Sequence, residues 1–295
     1  MAIKSYRALF FNTSLAINNH KYYLRDILPV LQNGTTPIST NLPPRNVSGT
    51  VFQVRDLSFY GANLSVVSGV FGRLRDDAPN KIDNVGAETQ LALLSTDRLI
   101  EKCYFLYYIN TDILVWQASR DVGPANKFAE YLSDLISSTR NSILMFNVNP
   151  LVDANSLQRV LSGDIKAIEC KMARPNTRLV NQPVWTQGAF DIMSSLNAAT
   201  IKLNVSAARG ILSNATALIK QLVADNSVSL LRVKIDGEDD PIDLFADRID
   251  ERFFVNLNGH YPVASDLLNN LDTAYSNQRS LITAYFNQNA VQQMP

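Results

Sequence analysis

Three polar side chains within eight residues have the types and spacing to do chemistry. Asp164, Glu169 and Lys171 lie in or beside the segment IKAIECKMA, which alternates like a strand. An acid followed by Glu-x-Lys is the set that a metal-dependent nuclease places on a strand, where carboxylates hold Mg²⁺ and the lysine assists the attacking water. Asp153 is a further candidate ligand. Because Glu-x-Lys is short and is also typical of an exposed ion pair, a Mg²⁺-dependent nuclease is an alternative here.

The same strand belongs to the basic part of a chain whose net charge is zero. Residues 156–234 contain ten basic and four acidic residues, a net charge of +6. Residues 235–295 contain three basic and ten acidic residues, a net charge of −7, and the first 155 residues carry +1. A polyanion would therefore meet one attractive and one repulsive segment, which favours binding over catalysis as the function.

Six cations of the basic part are the candidate DNA contacts, because phosphate binding needs positive side chains on one surface. On a strand over 165–173, Glu169 and Lys171 share a face, whereas Lys166 points to the opposite face. The following loop and neighbouring elements supply the other candidates. The full set is Lys166, Lys171, Arg174, Arg178, Lys202 and Lys220. The alternative is a scattered, solvated surface that pairs with the acidic segment.

The acidic tract 236–243 is predicted to be a solvated turn after a strand. It does not match a calcium loop of the EF-hand type, because Pro241 stands where that loop needs glycine. The charge split also suggests that the tract occupies the basic surface at rest and competes with nucleic acid. Neutralising Asp239, Asp240 and Asp243 is then expected to tighten DNA binding.

The composition, with 46% hydrophobic and 18% charged residues, is that of an ordinary folded protein. The sequence shows no signal-peptide pattern and no apolar run of membrane-spanning length, which predicts a cytoplasmic protein. The only two cysteines, Cys103 and Cys170, are predicted to be buried free thiols. The only histidines, His20 and His260, offer little material for a metal site or a catalytic triad, and no cofactor is indicated.

Strands interleaved with helices, some of them paired in hairpins, predict an α+β fold with mixed or antiparallel sheets. The clearest element is an aromatic hairpin with arms at 103–109 and 113–118 and a turn at 110–112. Trp116 in its second arm is expected in the core or at an interface. The predicted strands are 6–12, 50–54, 64–72, 103–109, 113–118, 143–148, 165–173, 201–205, 228–235 and 253–257, and the predicted helices are 22–31, 125–136, 153–161, 213–224 and 263–287. Residues 35–48 are predicted to be a loop.

The Pro-, Asn- and Gln-rich stretch 175–187 is predicted to link two domains, 1–174 and 188–295. The C-terminal helix carries an apolar stripe that is the expected surface for self-association. That stripe consists of Leu267, Leu271, Tyr275, Ile282 and Phe286. If 175–187 acts as a hinge, the second domain is also a candidate for exchange between two protomers.

Three blocks of sequence carry a resemblance to a known family. They are FLYYINTDILVWQASRDVGPANKFAEYLSDLI at 105–136, IKAIECKMARP at 165–175 and LLRVKIDGEDDPIDLFADRI at 230–249. Their order of hairpin, Gly-Pro, helix, basic strand and acidic turn resembles the phage-exclusion protein RexA family of lambda-type prophages. The resemblance covers most of the chain from about residue 50, and antiphage proteins of the Kiwa B type are the second comparison.

The resemblance implies an intracellular sensor that binds double-stranded DNA with little sequence preference. It further implies a homodimer that acts with a membrane-protein partner to abort phage infection. The expected function is therefore a non-catalytic DNA-binding protein of an antiphage system. A nuclease using Asp164, Glu169 and Lys171, and a scaffold that contacts only proteins, are the alternatives.

Overall fold

A computed structural model describes residues 3–17, 20–22, 41–61, 65–75, 77, 80–82, 85–92, 94, 97–140, 144–173, 184–207, 211–224, 228–246, 248–259 and 261–290. Within them the chain forms an α+β fold with antiparallel sheets and a long C-terminal helix, as the sequence predicts. None of the helices in this part of the chain combines the length and the apolar composition that crossing a membrane requires.

The strands and helices are numbered in chain order. The strands are β1 (Ile3–Ile17), β2 (His20–Tyr22), β3 (Arg45–Val47), β4 (Thr50–Tyr60), β5 (Val66–Arg75), β6 (Asn80–Ile82), β7 (Glu88–Gln90), β8 (Leu99–Tyr108), β9 (Ile113–Gln117), β10 (Leu144–Pro150), β11 (Ile165–Ala173), β12 (Thr200–Ser206), β13 (Val228–Ile235), β14 (Ile242–Asp243), β15 (Asp250–Asn258) and β16 (Tyr261–Pro262). The helices are α1 (Ala125–Arg140), α2 (Ala154–Ser162), α3 (Val184–Ser195), α4 (Ala215–Ala224) and α5 (Ala264–Ala290).

The chain divides into two compact units, each built from two separate stretches of sequence. Unit 1 comprises Met1–Val148 and Arg252–Tyr275, and unit 2 comprises Asn149–Glu251 and Ser276–Pro295. Strands β11 and β12, which lie before and after the linker predicted at 175–187, pair with each other within unit 2.

Unit 1 is built around one large sheet in the order β16-β15-β1-β9-β8-β5-β4-β3, with β2 and β10 also paired with β1. The predicted aromatic hairpin is its centre, with Phe105 opposite Trp116 in the β8–β9 register. Its turn places Asp112 at φ 53°, a left-handed conformation that aspartate tolerates. The Tyr107 hydroxyl donates to Asp112 Oδ1 at 2.6 Å, and this buried contact fixes the turn.

Helix α1 covers one face of this sheet. Its residues Phe128, Tyr131, Leu132 and Leu135, which the helical spacing singles out, are all buried in the core of unit 1. The Phe128 ring meets Phe71 edge to face with centroids 5.4 Å apart. Trp116 is also buried in this cluster, so its expected core position is confirmed.

Helix α5 uses its apolar stripe inside the chain's own fold. Leu267, Leu271 and Ile282 are buried, and the Tyr275 ring stacks on Tyr108 with centroids 3.7 Å apart. Phe286 is partly buried and packs edge to face on Tyr285. The surface expected to mediate self-association is therefore occupied by intrachain packing, and self-association, which remains a prediction, needs another surface unless protomers exchange this segment.

Unit 2 contains a four-stranded sheet in the order β12-β11-β13-β14. One face of the sheet is apolar and packs with helices α2 and α4 into a core that includes Ile168, Cys170 and Leu231. Asp153 caps the start of α2, since its Oδ2 accepts a 2.9 Å hydrogen bond from the Ser156 amide. Cys103 and Cys170 are both buried and free, which confirms the prediction for the thiols.

Several predicted boundaries differ from the structure. Helix α3 begins at Val184, within the predicted linker, and strand β3 interrupts the predicted loop 35–48. Residues 23–40 and 174–183 lie outside the described part of the chain, so most of the helix predicted at 22–31 and most of the linker stay predictions.

Candidate nucleic-acid interface

The solvent-facing side of the four-stranded sheet in unit 2 gathers charged residues in two rows. Glu169 and Lys171 lie on this face because their neighbours Ile168, Cys170 and Met172 point into the core. The shared face predicted for Glu169 and Lys171 is thus present.

The first row sets like charges side by side. Lys171 on β11 lies directly opposite Lys202 on β12, and both side chains are exposed. The Ala207 amide donates to the Lys166 carbonyl at 3.0 Å, which marks residues 166 and 207 as a hydrogen-bonded pair. Since such pairs alternate along an antiparallel ladder, Lys171 and Lys202 form a non-hydrogen-bonded pair, in which Cα atoms are only about 4.5 Å apart. Like charges in this position are destabilising, and the pair sets two positive side chains next to each other at the solvent-facing side.

The second row alternates in charge. Glu169 lies opposite Asn204 on one side and Arg232 on the other, and Arg232 lies opposite Asp243 on β14. Lys202 Nζ reaches across to Glu169 Oε1 at 2.7 Å, and Arg232 Nη1 is 3.9 Å from the same oxygen. Each carboxylate in this row therefore has at least one cation as a neighbour.

Regular alternation predicts that Lys166 points into the apolar face. The structure shows its side chain exposed instead. A bulge between Ile165 and Ala167 shifts the register against β13, so Ile165 and Ile168 are both buried while Lys166 is exposed. Its Nζ lies 3.0 Å from Asp236 Oδ1, and each of the two side chains is 53% exposed.

The acidic tract 236–243 comprises the connection between β13 and β14 and strand β14 itself, with Gly237 at φ 81°. Three of its acceptors lie against cations of the basic part of the sequence. Asp236 faces Lys166 at 3.0 Å, Glu238 Oε1 faces Arg159 Nη2 at 3.0 Å, and the Asp239 carbonyl accepts from Lys234 Nζ. The predicted turn is present, and the two oppositely charged segments meet inside one unit.

Lys220 does not join this face. It is exposed on α4, whose residues Ile219 and Leu222 are buried in the core beneath the sheet. The helix layer and the sheet therefore separate Lys220 from Lys171 and Lys202. Arg174 and Arg178 lie outside the described residues, so their place on this surface stays a prediction.

Two further cations of the basic segment lie on this face and are not among the six candidates. Arg232 and Lys234 are two residues apart on β13, so the strand period alone puts them on one side. The signal was available, since the buried Leu231 and Val233 alternate with them.

The nuclease alternative requires carboxylates gathered around a metal ion. Glu169 instead contacts two cations, and Asp153 Oδ2 is engaged as a helix cap. Among the residues that the structure describes, no group of three or more His, Cys, Asp or Glu side chains is arranged to hold a metal ion. The donor set that the alternative needs is not assembled in this region.

Comparison of the chain with protein-family models and with curated protein sequences gave no match.

Proposed function

We propose that the solvent-facing side of the unit 2 sheet binds the phosphate backbone of double-stranded DNA. The observation that carries the proposal is the direct opposition of Lys171 and Lys202 across β11 and β12. Two phosphates, one at each ammonium group, would offset the unfavourable pairing of like charges with two attractive contacts and release counterions. Lysines present point charges and contact no base edge in this mode, so binding is independent of sequence.

The ion pairs on this face do not prevent such binding. Lys202 is 63% exposed and Lys166 is 53% exposed, and exposed pairs of this kind contribute only about 0.2–1 kcal/mol each. A polyphosphate can therefore exchange with Glu169 and Asp236 at small cost. The acidic tract thus acts as an internal competitor for DNA.

We further propose that DNA binding serves phage exclusion in the cytoplasm, together with a membrane-protein partner. The support is the resemblance to the RexA family, whose three blocks fall on the β8–β9 hairpin with α1, on β11, and on β13 with the acidic tract. Two of these blocks supply β11, β13 and β14 of the sheet described above. The protein acts as a sensor without catalysis.

The test is DNA binding measured by fluorescence anisotropy over a series of salt concentrations, with and without Mg²⁺. The double variant Lys171→Gln/Lys202→Gln is expected to weaken binding for every sequence and to flatten the slope of log affinity against log salt by about 2, because each lost phosphate contact removes about 0.9. Lys220→Gln is the matched control, since it removes an exposed lysine from the other side of the unit.

Absence of binding at low salt would overturn the proposal and leave the protein-only scaffold. A loss of binding free energy in Lys220→Gln that is half the loss in the double variant would show that the effect is one of net charge. DNA cleavage that requires Mg²⁺ and is lost in Glu169→Gln would establish the nuclease alternative instead.

A further inference from the structure

Strand β12 is an open edge of the unit 2 sheet. Within the described residues, β12 pairs with β11 and with no strand on its other side. The hydrogen bond from Ala207 to the Lys166 carbonyl fixes which backbone groups face β11. By alternation Ile201, Leu203 and Val205 bond to β11, and the N–H and C=O groups of four residues point outward. Those four are Thr200, Lys202, Asn204 and Ser206.

The usual protections of an edge strand are few here. β12 contains no proline, and its pairing with β11 runs without a bulge from residue 200 to residue 206. One lysine, Lys202, is its only charged residue. Val205 points to the apolar side of the sheet yet is 45% exposed, and Ile192 and Leu196, on and just after the neighbouring α3, are more exposed still. In the part of the chain that the structure describes, the edge therefore offers backbone groups without a strand partner beside apolar surface.

We propose that two copies of this chain associate through β12, pairing antiparallel about a two-fold axis at Leu203. Thr200 then faces Ser206 of the second copy, Ile201 faces Val205, and Lys202 faces Asn204. Apolar residues meet apolar residues and each lysine meets an amide. Four hydrogen-bonded pairs with two bonds each give about eight new backbone hydrogen bonds and use all the outward groups of both copies.

The neighbouring registers are worse. An axis at Lys202 sets the two lysines opposite each other, which is repulsive. An axis at Asn204 leaves Thr200 beyond the paired strand and loses about two hydrogen bonds. An odd shift would set outward groups against inward ones. The strand is thus self-complementary in a single register, as a two-fold interface requires.

This inference rests on the proposed function and deepens it, because it names the surface through which two copies would join their DNA-binding faces. The paired edges would make one sheet of eight strands with a continuous solvent-facing side. Lys171 and Lys202 of one copy would lie in one row, and those of the second copy in a row about 7 Å away along the strands. Four lysines then cluster around the axis and face DNA together.

The first test is the mass of the full chain in solution, measured without DNA by sedimentation velocity. Asn204→Pro removes an outward N–H without removing a bond to β11, which is the position where an edge strand tolerates proline. We expect the wild type and Asn204→Ala to be dimers and Asn204→Pro to be a monomer with an unchanged circular dichroism spectrum. A monomeric wild type, or a folded Asn204→Pro dimer, would overturn the inference.

The second test does not depend on how the proline variant folds. Across the axis the two Leu203 residues form a non-hydrogen-bonded pair, whose Cα separation of about 4.5 Å suits a disulfide. Cys170 lies opposite Leu203 in the register and must be removed first. Leu203→Cys in the Cys170→Ala background is expected to form a disulfide dimer on mild oxidation, whereas Thr200→Cys in the same background is not. Equal cross-linking of both, or none in either, counts against the proposed register.

The two proposals fail separately. A β12 dimer that binds no DNA would reject the proposed function and keep the interface. DNA binding by a monomer that is lost in Lys171→Gln/Lys202→Gln would keep the function and reject the interface.

Discussion

Arg232 donates a 3.0 Å hydrogen bond from Nε to Asp243 Oδ2, although the two residues belong to segments of opposite net charge. The same guanidinium lies 3.9 Å from Glu169 Oε1. Lys166–Asp236 and Arg159–Glu238 are contacts of the same kind. In each, a base of residues 156–234 pairs with an acid of residues 235–295 within unit 2. These ion pairs partly neutralise the cations when no ligand is bound. An anion must therefore displace the carboxylates in order to bind.

Removing the competing carboxylates is therefore expected to tighten DNA binding. In Asp236→Asn/Asp243→Asn, Lys166 and Arg232 lose their charged partners, and we expect affinity to rise about three- to tenfold at low salt, since each exposed pair is worth about 0.2–1 kcal/mol. The Asp243→Asn change keeps a side-chain oxygen that can accept from the Ala246 amide, as Asp243 Oδ1 does at 3.0 Å, so the turn is preserved.

The control for these variants is Asp191→Asn, since Asp191 is exposed on α3 and its carboxylate bonds to Gln187 of the same helix. It is expected to leave affinity nearly unchanged. Anisotropy titration measures both, and unchanged or weaker binding in the double variant would contradict internal competition.

Two glycine-to-alanine substitutions are expected to act with opposite sign. A Cβ on Gly69 would lie 2.6 Å from Phe105 Cζ, inside the sheet core of unit 1, so Gly69→Ala should lower the free energy of unfolding by about 1–3 kcal/mol. A Cβ on Gly188, within α3, meets nothing within 4 Å, so Gly188→Ala should raise it by about 0.5–1 kcal/mol. Urea unfolding followed by circular dichroism checks both. A stabilised Gly69→Ala would contradict the packing argument, and a destabilised Gly188→Ala would contradict the helix argument.

The thiols are expected to be unreactive in the folded chain. Burial raises the pKa of Cys103 well above its ordinary value, so the thiolate fraction at pH 8 is far smaller than for a free cysteine. Its Sγ also donates to the Gln117 carbonyl at 2.9 Å, and Cys170 is likewise buried. A disulfide reagent at pH 8 should label neither thiol in the native protein and both after denaturation. Rapid labelling of the native chain would show that one of the cores opens.

The hairpin turn is expected to depend on its buried hydroxyl. Tyr107→Phe removes the 2.6 Å donor to Asp112 Oδ1 and should destabilise the protein by about 1–3 kcal/mol, because a buried acceptor loses a partner. Tyr108→Phe removes a hydroxyl that donates to Asp272 at an exposed site, and its cost should be smaller. Thermal unfolding of the two variants compares their stabilities. A larger loss of stability in Tyr108→Phe would contradict the importance given to the Tyr107 hydroxyl.

The strands and helices that depend on short-range sequence patterns could be predicted from the sequence. The β8–β9 hairpin is dense in aromatic and β-branched residues, and α1 carries apolar residues at helical spacing, so both follow from short-range pattern. Helix α3 was missed because prolines and amides before Val184 indicate a loop. Its buried residues Phe190 and Met193, three apart, were the signal that could have identified it.

The candidate site was predictable in composition but not in arrangement. That Lys171 shares a face with Glu169 follows from the strand period. That Lys171 lies opposite Lys202 depends on the register between two strands separated by 26 residues. Side-chain packing, and not local sequence, sets that register. The bulge that exposes Lys166 is likewise invisible to a two-residue period.

The division of unit 1 between the beginning and a late part of the chain bears on its synthesis. Strand β1 lies beside β15 in the large sheet, yet residues 250–258 leave the ribosome more than 230 residues after it. At about 5–20 residues per second, the nascent β1 waits roughly 10–50 s for this neighbour. During that interval the residues of β1 that pair with β15 lack their final partner, so chaperone protection of the growing polypeptide would matter most while β1 awaits β15.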